Sequence, residues 1–166
     1  MFVKQKVEKT NAMRALDRLG CAYRVHAYES GGEAPSGVEV ARMLGQDAAR
    51  VFKTLVTEGK SGANYVFMIP VAQELDLKKA AACVGEKALC MLKARELLPL
   101  TGYVHGGCSP IGMKKPFRTM AHKTAADFET IFFSAGKIGL QIETTLTELR
   151  RAIEVELADL AVEARG

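Results

Sequence analysis

Two segments rich in β-branched and aromatic residues place the strongest limit on the fold of this chain. Arg50 to Thr57 reads R-V-F-K-T-L-V-T, and Asn64 to Pro70 reads N-Y-V-F-M-I-P. Such runs favour strands, and the polar G-K-S-G-A between them favours a turn. We therefore predict that the two segments form a β-hairpin.

Helix and strand signals surround this hairpin along the whole chain. Cap residues and apolar periodicity predict helices at 10–19, 36–45, 76–85 and 146–160, with a short helical turn at 93–98 that Pro99 stops. The cap residues are Thr10 or Asn11, Ser36, Asp76 and Thr145. Further strands are predicted at 23–28, 103–105, 117–120, 130–133 and 138–142. Because the strands cluster instead of alternating with helices, the pattern favours an α+β fold: a mixed, mostly antiparallel curved sheet of six to seven strands with flanking helices.

Length and composition restrict the class of protein. The 166 residues, 48% hydrophobic and 25% charged, are typical of one globular domain, and we assign residues 1–166 to it. The net charge of +4 permits an RNA partner without indicating one. No apolar run is long enough to cross a membrane, and the N-terminus lacks a signal segment, so a cytoplasmic protein is expected.

The sequence carries no signature of a metal or a cofactor. Its four cysteines form no C-x-x-C pair, and its three histidines lie far apart in the chain. Neither a G-x-G-x-x-G motif nor a P-loop occurs, so the usual sequence support for a dinucleotide or a nucleoside triphosphate is missing. We predict no metal site and no cofactor.

Lys53 is the most informative residue of the hairpin. In a strand, Val51, Lys53 and Leu55 share one face and Phe52, Thr54 and Val56 the other, so both faces are apolar apart from this lysine and threonine. A charge there is costly unless it is paired, reaches water or lines a cleft. Lys53 is thus a candidate to meet an anionic or carbonyl ligand; the alternative is an edge-strand lysine that extends into solvent.

A glycine-rich loop follows the predicted strand at 103–105. In the segment from Gly106 to Gly112, three glycines in seven residues could point successive N–H groups into one concavity and hold a phosphate or a developing oxyanion. An ordinary tight turn explains the same composition. A hydrolase nucleophile is normally followed by a residue whose N–H binds the oxyanion, so Ser109, which Pro110 follows, is unsuited to this role. Cys108 is followed by Ser109, which has an N–H, but no histidine is placed by sequence to activate the thiol.

Two other features have less distinctive patterns. Ser134 to Gln141 reads S-A-G-K-I-G-L-Q and connects two apolar strands, as an ordinary hairpin would. The doublets Lys78-Lys79 and Arg150-Arg151 fall on predicted helices, where a solvated face explains them, although Lys78 and Lys79 could also meet a phosphate backbone.

Four of these blocks, taken in order, resemble the YbaK/EbsC family, whose members are similar to the editing insertion domain of bacterial prolyl-tRNA synthetase. The blocks are V-F-K-T-L around Lys53, P-V-A-Q-E-L-D-L-K-K from Pro70, T-G-Y-V-H-G-G-C-S-P-I-G from Thr101, and S-A-G-K-I-G-L-Q-I-E from Ser134. They span nearly the whole chain, and four blocks in order are far more specific than any one of them.

The resemblance implies removal of cysteine from a mischarged proline tRNA, with the tRNA as partner and prolyl-tRNA synthetase as a candidate transient partner. Such an editing step is needed because a synthetase pocket gains only about 1–3 kcal/mol of discrimination from a small apolar difference between two amino acids. It also implies a closed, barrel-like mixed sheet. As site residues it implies Lys53, Gly106 and Gly107 in catalysis, and Tyr28, Thr54, Ser109, Ser134, Gly136 and Gln141 in substrate binding.

The mechanism implied for this branch uses the substrate's own thiol, which attacks its ester carbonyl and leaves as a cyclic thiolactone. One position departs from the family pattern: Gln141 stands where many relatives carry an acidic residue, and an amide cannot hold a negative charge. Two alternatives therefore stay open. One is a deacylase for another small amino acid, such as alanine on the same tRNA; the other is a non-catalytic module that binds aminoacyl-tRNA or the synthetase.

Overall fold

The predicted hairpin forms the middle of the largest sheet. In the computed structural model, which describes residues 8–164, β2 (Phe52–Gly59) pairs antiparallel with β3 (Asn64–Pro70) without interruption. The Glu86 carboxylate stabilises the turn, since it accepts hydrogen bonds from Ser61 N at 3.2 Å and Tyr65 Oη at 2.6 Å. The hairpin prediction is confirmed.

Five helices and ten strands make up the described part of the chain. The helices are α1 (Asn11–Arg18), α2 (Gly37–Met43), α3 (Leu77–Val84), α4 (Ala94–Thr101) and α5 (Leu146–Ala152). The other strands are β1 (Arg24–Ala27), β4 (Gln73–Leu75), β5 (Leu89–Met91), β6 (Arg118–His122), β7 (Ile131–Ser134), β8 (Leu140–Thr144), β9 (Val155–Ala158) and β10 (Ala161–Glu163). Two 3-10 turns cover Ala48–Arg50 and Lys123–Asp127.

The strands form three separate sheets. A five-stranded sheet has the order β5-β2-β3-β6-β9, a three-stranded sheet the order β1-β8-β7, and β10 pairs with β4. Five of the seven pairings are antiparallel, whereas β3–β6 and β6–β9 are parallel. The mixed, mostly antiparallel α+β prediction is thus confirmed.

The expected barrel-like closure of a six- to seven-stranded sheet is wrong. The larger sheet ends at β5 on one side and at β9 on the other, and the ten strands are divided among three sheets. Within residues 8–164, a single β-bridge between Val51 and Phe132 connects the three-stranded sheet to the five-stranded one. Closure would need a continuous ladder of hydrogen bonds between edge strands, and one bridge does not supply it.

Predicted cap residues begin four of the helices. Each side-chain oxygen accepts a hydrogen bond from a backbone N–H of the first turn, as the short polar residues favoured at helix N-termini do. The four caps are Thr10, Ser36, Asp76 and Thr145.

The last predicted helix is shorter than expected. α5 ends at Ala152 and not at Leu160, because Ile153 is extended with φ −143° and ψ 157°. The chain then forms β9, which pairs with β6, and β10, which pairs with β4. A pairing partner far away in the sequence outweighed the local helix pattern, and the sequence analysis could not identify that partner.

Two smaller expectations also fail. Pro99 lies inside α4 instead of stopping it at Leu98. The carbonyl of exposed Arg95, which a proline at this position leaves without a helix partner, can be hydrated by solvent. The segment 103–105 forms a loop and no strand. Among the helices of residues 8–164, none has the length and apolar character to cross a membrane.

Apolar side chains cover both faces of the five-stranded sheet. On β3, Met68 packs with α1 and the three-stranded sheet, while its neighbours Phe67 and Ile69 pack with α3 on the opposite face. A smaller cluster of Ala41, Val51, Val71 and Phe132 fills the space where the two larger sheets meet. The candidate site lies beside this junction.

Candidate active site

A cavity of about 310 Å³ lies where the five-stranded and three-stranded sheets approach each other. Six of the nine residues predicted for the site line it: Tyr28, Lys53, Thr54, Gly106, Ser134 and Gln141. Its apolar wall includes Val40, Val51, Leu55, Val71, Leu97 and Cys108. The volume is at the lower end of the range of about 300–1,000 Å³ for small-ligand sites. It suits the end of a ligand and not a long stretch of polymer.

Lys53 and Thr54 both border the cavity although they are consecutive strand residues, which point to opposite faces. No bulge in the β2–β3 pairing explains this, because the register is regular. Instead, β5 pairs with β2 only from Thr57 to Gly59, and no strand within residues 8–164 pairs with the same edge of β2 from Phe52 to Leu55. A cavity along an open strand edge can contact residues from both faces.

The Lys53 ammonium group forms no ion pair with any residue of the described chain. Burial lowers the pKa of Lys53, and the charge of Glu74 opposes this only in part. The cavity lining contains no aspartate or glutamate. Lys53 therefore supplies an uncompensated positive charge, which favours an anionic or partly anionic ligand.

Two buried polar atoms at the cavity have no hydrogen-bond partner within residues 8–164. They are Thr54 Oγ1 and Gln141 Oε1, and the Gln141 side chain belongs to a residue only 6% exposed. Such atoms are rare in folded proteins because an unmade buried hydrogen bond is destabilising. Their position at a cavity leaves both atoms free to accept hydrogen bonds from a bound molecule or from water.

The glycine-rich loop contributes one of its two predicted residues. Gly106 lines the cavity, with φ +84°. A Cβ on Gly106 would lie 2.5 Å from Ala34 Cβ, so this glycine lets the loop before α2 approach closely. Gly107 does not line the cavity: its N–H donates to Val104 O at 2.9 Å and is already used. The N–H groups of Gly106 and Cys108 find no acceptor within residues 8–164.

Of three other residues predicted to bind substrate, one lines the cavity and two do not. Ser134 lines the cavity, and its Oγ accepts a hydrogen bond from Gly136 N at 3.1 Å. Gly136 itself packs against the ring of Tyr103 and lies outside the lining. Ser109 is fully buried, where its Oγ accepts from Ile111 N at 3.3 Å. Gly136 and Ser109 therefore support the loops and do not face the cavity.

Cys108 and His105 line the cavity together, a proximity that the sequence analysis missed. The spacing of three residues was visible in the sequence, but not that the loop brings both residues to one cavity. Burial raises the pKa of Cys108 to about 12. Its thiol therefore stays protonated at neutral pH, which makes Cys108 a poor nucleophile.

Three larger clefts, of about 790, 700 and 560 Å³, lie elsewhere on the described chain. The lining of each contains both acidic and basic side chains: Glu154 and Glu156 with Lys115 and Arg118 in the first, Asp127, Glu129, Glu143 and Glu148 with Arg24 and Arg50 in the second, and Glu58 and Glu96 with Arg95 in the third. Carboxylates repel phosphate and ester oxygens, and of these four linings only that of the 310 Å³ cavity has a lysine and no carboxylate. Residues 8–164 also contain no group of three or more His, Cys, Asp or Glu side chains arranged to hold a metal ion.

Comparison with known proteins gives a family. A family model described as the aminoacyl-tRNA editing domain matches residues 32–152. A protein of Enterococcus faecalis, provisionally named Cys-tRNA(Pro)/Cys-tRNA(Cys) deacylase EbsC, is 44% identical over 143 residues, which cover 86% of this chain and 87% of that protein.

Solved structures share the fold. A protein provisionally described as a trans-editing enzyme for prolyl-tRNA synthetase is 25% identical, with a TM-score of 0.82 over 92% of this chain and 95% of that one. A hypothetical protein, 20% identical, has the same TM-score over 92% of this chain and 100% of its own. The second likeness concerns the fold alone.

Proposed function

The chain belongs to the aminoacyl-tRNA editing domain family, and from this premise we propose that it is a trans-acting deacylase that removes cysteine from mischarged Cys-tRNA(Pro). The relative's printed name gives both Cys-tRNA(Pro) and Cys-tRNA(Cys) as substrates, and the test below includes both. The protein acts in the cytoplasm on free mischarged tRNA, and residues 1–166 form one editing domain.

The observation that carries this proposal is the content of the cavity. It combines one uncompensated lysine, two unpartnered polar atoms and an apolar wall, without a carboxylate. The 3′ end of an aminoacyl-tRNA offers matching chemistry: phosphate and ester oxygens for a cation, amine and hydroxyl hydrogens for free acceptors, and a small side chain for the apolar wall.

Each contact then has a specific role. Lys53 neutralises a phosphate or the negative charge that develops on the ester carbonyl oxygen. The free N–H groups of Gly106 and Cys108 donate to the same oxygen, as in an oxyanion hole. Gln141 Oε1 and Thr54 Oγ1 bind the donors of the aminoacyl ribose, and Tyr28 and Ser134 close the space around them.

The nucleophile comes from the substrate. The cysteine sulfur attacks its own carbonyl carbon, a C–S bond forms, and the ester C–O bond breaks; the thiol proton ends on the ribose oxygen, and the products are free tRNA and a cyclic thiolactone. Cys108 is a poor competitor because its thiol stays protonated. The protein's contribution is to hold the thiol near the carbonyl and to stabilise the developing charge.

A deacylation panel tests the function. Purified protein is mixed with Cys-tRNA(Pro), Cys-tRNA(Cys), Ala-tRNA(Pro) and Ser-tRNA(Pro), and the loss of ester is followed under single-turnover conditions. We expect rapid loss from the cysteinyl substrate and slow loss from Ser-tRNA(Pro), since a hydroxyl is a weaker nucleophile than a thiol. Equal rates for the two would contradict cyclisation and favour attack by water.

Two outcomes would replace the proposal. Preferential loss of alanine would make the protein an alanine-editing deacylase. Tight tRNA binding without ester loss would make it a binding module, which Gln141, in place of an acidic residue, keeps as an alternative. Repeating the panel with prolyl-tRNA synthetase present tests whether the two proteins act in a transient complex.

A further inference from the structure

The two polar walls of the cavity belong to different sheets. Lys53 and Thr54 lie on β2 of the five-stranded sheet, whereas Gln141 and Ser134 lie on β8 and β7 of the three-stranded sheet. Only the bridge from Val51 to Phe132 joins these sheets by backbone pairing within residues 8–164. Since apolar packing is not directional, the cluster around this bridge does not by itself fix how far apart the walls stand.

A polar cluster crosses the junction beside the bridge. Arg50 directly precedes Val51 in the chain. Its guanidinium donates hydrogen bonds to Thr130 O, at 3.0 Å, and to Thr130 Oγ1. The same guanidinium lies 3.6 Å from Glu143 Oε2. Thr130 Oγ1 in turn donates to Glu143 Oε2 at 2.5 Å. Hydrogen bonds to charged groups are directional, so this cluster restrains β2 relative to β8.

His26 completes the cluster from β1. Its Nε2 lies 2.9 Å from Glu143 Oε1, and its ring packs against Phe132 with centroids 5.1 Å apart. The Arg50 guanidinium lies 5.2 Å from the centre of the same Phe132 ring. Although burial raises the pKa of Glu143, the contacts with Thr130 and His26 and the charge of Arg50 outweigh it and hold that pKa below its ordinary value.

The sheet register links the cluster to the cavity walls. His26 lies directly opposite Gln141, which also lies opposite Ser134, so these side chains share one face. Glu143 follows two residues after Gln141 on that face, and Lys53 follows three residues after Arg50. A movement of Arg50 relative to Glu143 is therefore transmitted to both walls.

We propose that Arg50 and Glu143 are positioning residues that clamp the two sheets together and fix the separation between Lys53 and the wall formed by Gln141 and Ser134, while His26 holds Glu143 in place from within the three-stranded sheet. This inference rests on the proposed function for its role in catalysis. The clamp does not touch the substrate. It acts by holding the Lys53 ammonium group and Gln141 Oε1 at a separation that lets both contact the same aminoacyl ester.

The test compares Glu143→Gln and Arg50→Gln with two control variants, Glu156→Gln and Arg118→Gln. The control pair is an exposed ion pair of the five-stranded sheet, at 3.4 Å, so its loss removes the same kinds of charge away from the cavity. Circular dichroism and thermal unfolding first establish that all four variants fold.

We expect each clamp variant to lower kcat for Cys-tRNA(Pro) at least tenfold while KM changes less than twofold, because misplacement by about 1 Å can cost about 100-fold in rate. The double variant should be no slower than the worse single one, since both changes break one unit. The controls should keep the wild-type rate. Wild-type kcat in folded clamp variants, or losses that multiply in the double variant, would overturn the clamp.

A second readout does not depend on activity. The pKa of Lys53 is measured by NMR after reductive methylation with a 13C label. Burial lowers this pKa in the wild type, so opening of the junction should move it back toward the ordinary lysine value in both clamp variants and in neither control. An unchanged Lys53 pKa in both variants overturns the clamp even if the wild type proves inactive, whereas inactivity of the wild type alone contradicts only the proposed function.

Discussion

At the scale of single residues, the candidate site depends on groups whose ordinary partners are missing. Lys53 forms no ion pair, and Thr54 Oγ1 and Gln141 Oε1 have no hydrogen-bond partner in the described chain. Buried polar groups of this kind reduce stability when no ligand is bound. Stability and function should therefore respond in opposite directions when one of them is removed.

Thr54→Val tests this trade-off. Valine keeps the shape of the side chain and removes the unpartnered hydroxyl, whose burial costs about 1–3 kcal/mol. We expect the free energy of unfolding to rise by about 1 kcal/mol and the deacylation rate to fall about tenfold. Urea denaturation and single-turnover kinetics measure the two quantities. A variant that loses stability would contradict the unpartnered hydroxyl, and one that keeps the full rate would show that Thr54 does not bind the ligand.

The charge of Lys53 predicts a pH dependence. The rate should rise as the substrate thiol ionises, with a pKa of about 8.5, and fall again when Lys53 loses its proton, which burial makes easier than in a free lysine. The alkaline limb should therefore lie below the ordinary lysine pKa of 10.5. The measurement is the rate against pH after subtraction of uncatalysed hydrolysis.

Two variants of Lys53 sharpen this prediction. Lys53→Ala should lose at least 100-fold in rate at every pH, in line with the loss of one group that stabilises an oxyanion. Lys53→Arg should keep part of the rate and move the alkaline limb to higher pH, because guanidinium keeps its proton. An alkaline limb that stays in place in Lys53→Arg would assign it to another group.

At the scale of elements, the loops around the cavity require close backbone approach at Gly106. Gly106 and Gly62 both have positive φ, +84° and +91°, but a Cβ at Gly62 meets nothing within 4 Å, whereas one at Gly106 would meet Ala34 Cβ at 2.5 Å. The two glycines therefore form a matched pair that separates backbone strain from the contact between loops.

Gly62→Ala should cost about 1–2 kcal/mol of stability, the strain of a left-handed residue, and leave the deacylation rate unchanged. Gly106→Ala carries the same strain and also displaces the loop before α2, so we expect at least a tenfold loss of rate. Thermal unfolding and kinetics of the two variants make the comparison. Equal rates in both would mean that this loop contact does not shape the cavity.

The end of β6 predicts an effect of acid on stability. His122 Nδ1 accepts a hydrogen bond from Leu160 N at 3.1 Å, and burial lowers the pKa of His122, with the charges of Asp159, Lys123, Lys79 and Asp127 nearby. The unfolded chain then binds a proton more readily than the folded one, so stability falls as pH drops below about 6.5. His122→Gln should reduce this loss of stability, which urea titrations at pH 7 and pH 5 measure. If the free energy of unfolding falls equally between the two pH values in the wild type and in the variant, the prediction is contradicted.

At the scale of the whole molecule, the chain offers a small cavity and a modest net charge to a large polyanion. With 23 basic and 19 acidic residues, the net charge is only +4. We expect tRNA binding by the protein alone to be weak, because few phosphates are neutralised. Binding should weaken further at higher salt, because each phosphate contact that does form releases counterions from the RNA. Fluorescence anisotropy at 50 mM and 200 mM salt measures this, and an affinity independent of salt would contradict it.

The sequence predicted a large part of the fold because many of its signals are local. Thr10, Ser36, Asp76 and Thr145 cap the helices they were expected to cap, and the central hairpin has the predicted strands. The failures involve partners distant in sequence. The segment after Ala152 has a helical pattern, yet it pairs with β6, and the division of the strands into three sheets depends on which edges meet.

The sequence by itself determined the family blocks, the helix caps and the unusual lysine in an apolar strand, since each depends on neighbours within a few residues. Only the tertiary structure decided which predicted residues share one cavity. It brought Lys53 and Gln141 to the same space and left Gly107, Ser109 and Gly136 outside the lining. The physical reason is that the cavity lies between two sheets, and their separation depends on packing and on contacts such as Arg50 with Glu143, which no local pattern encodes.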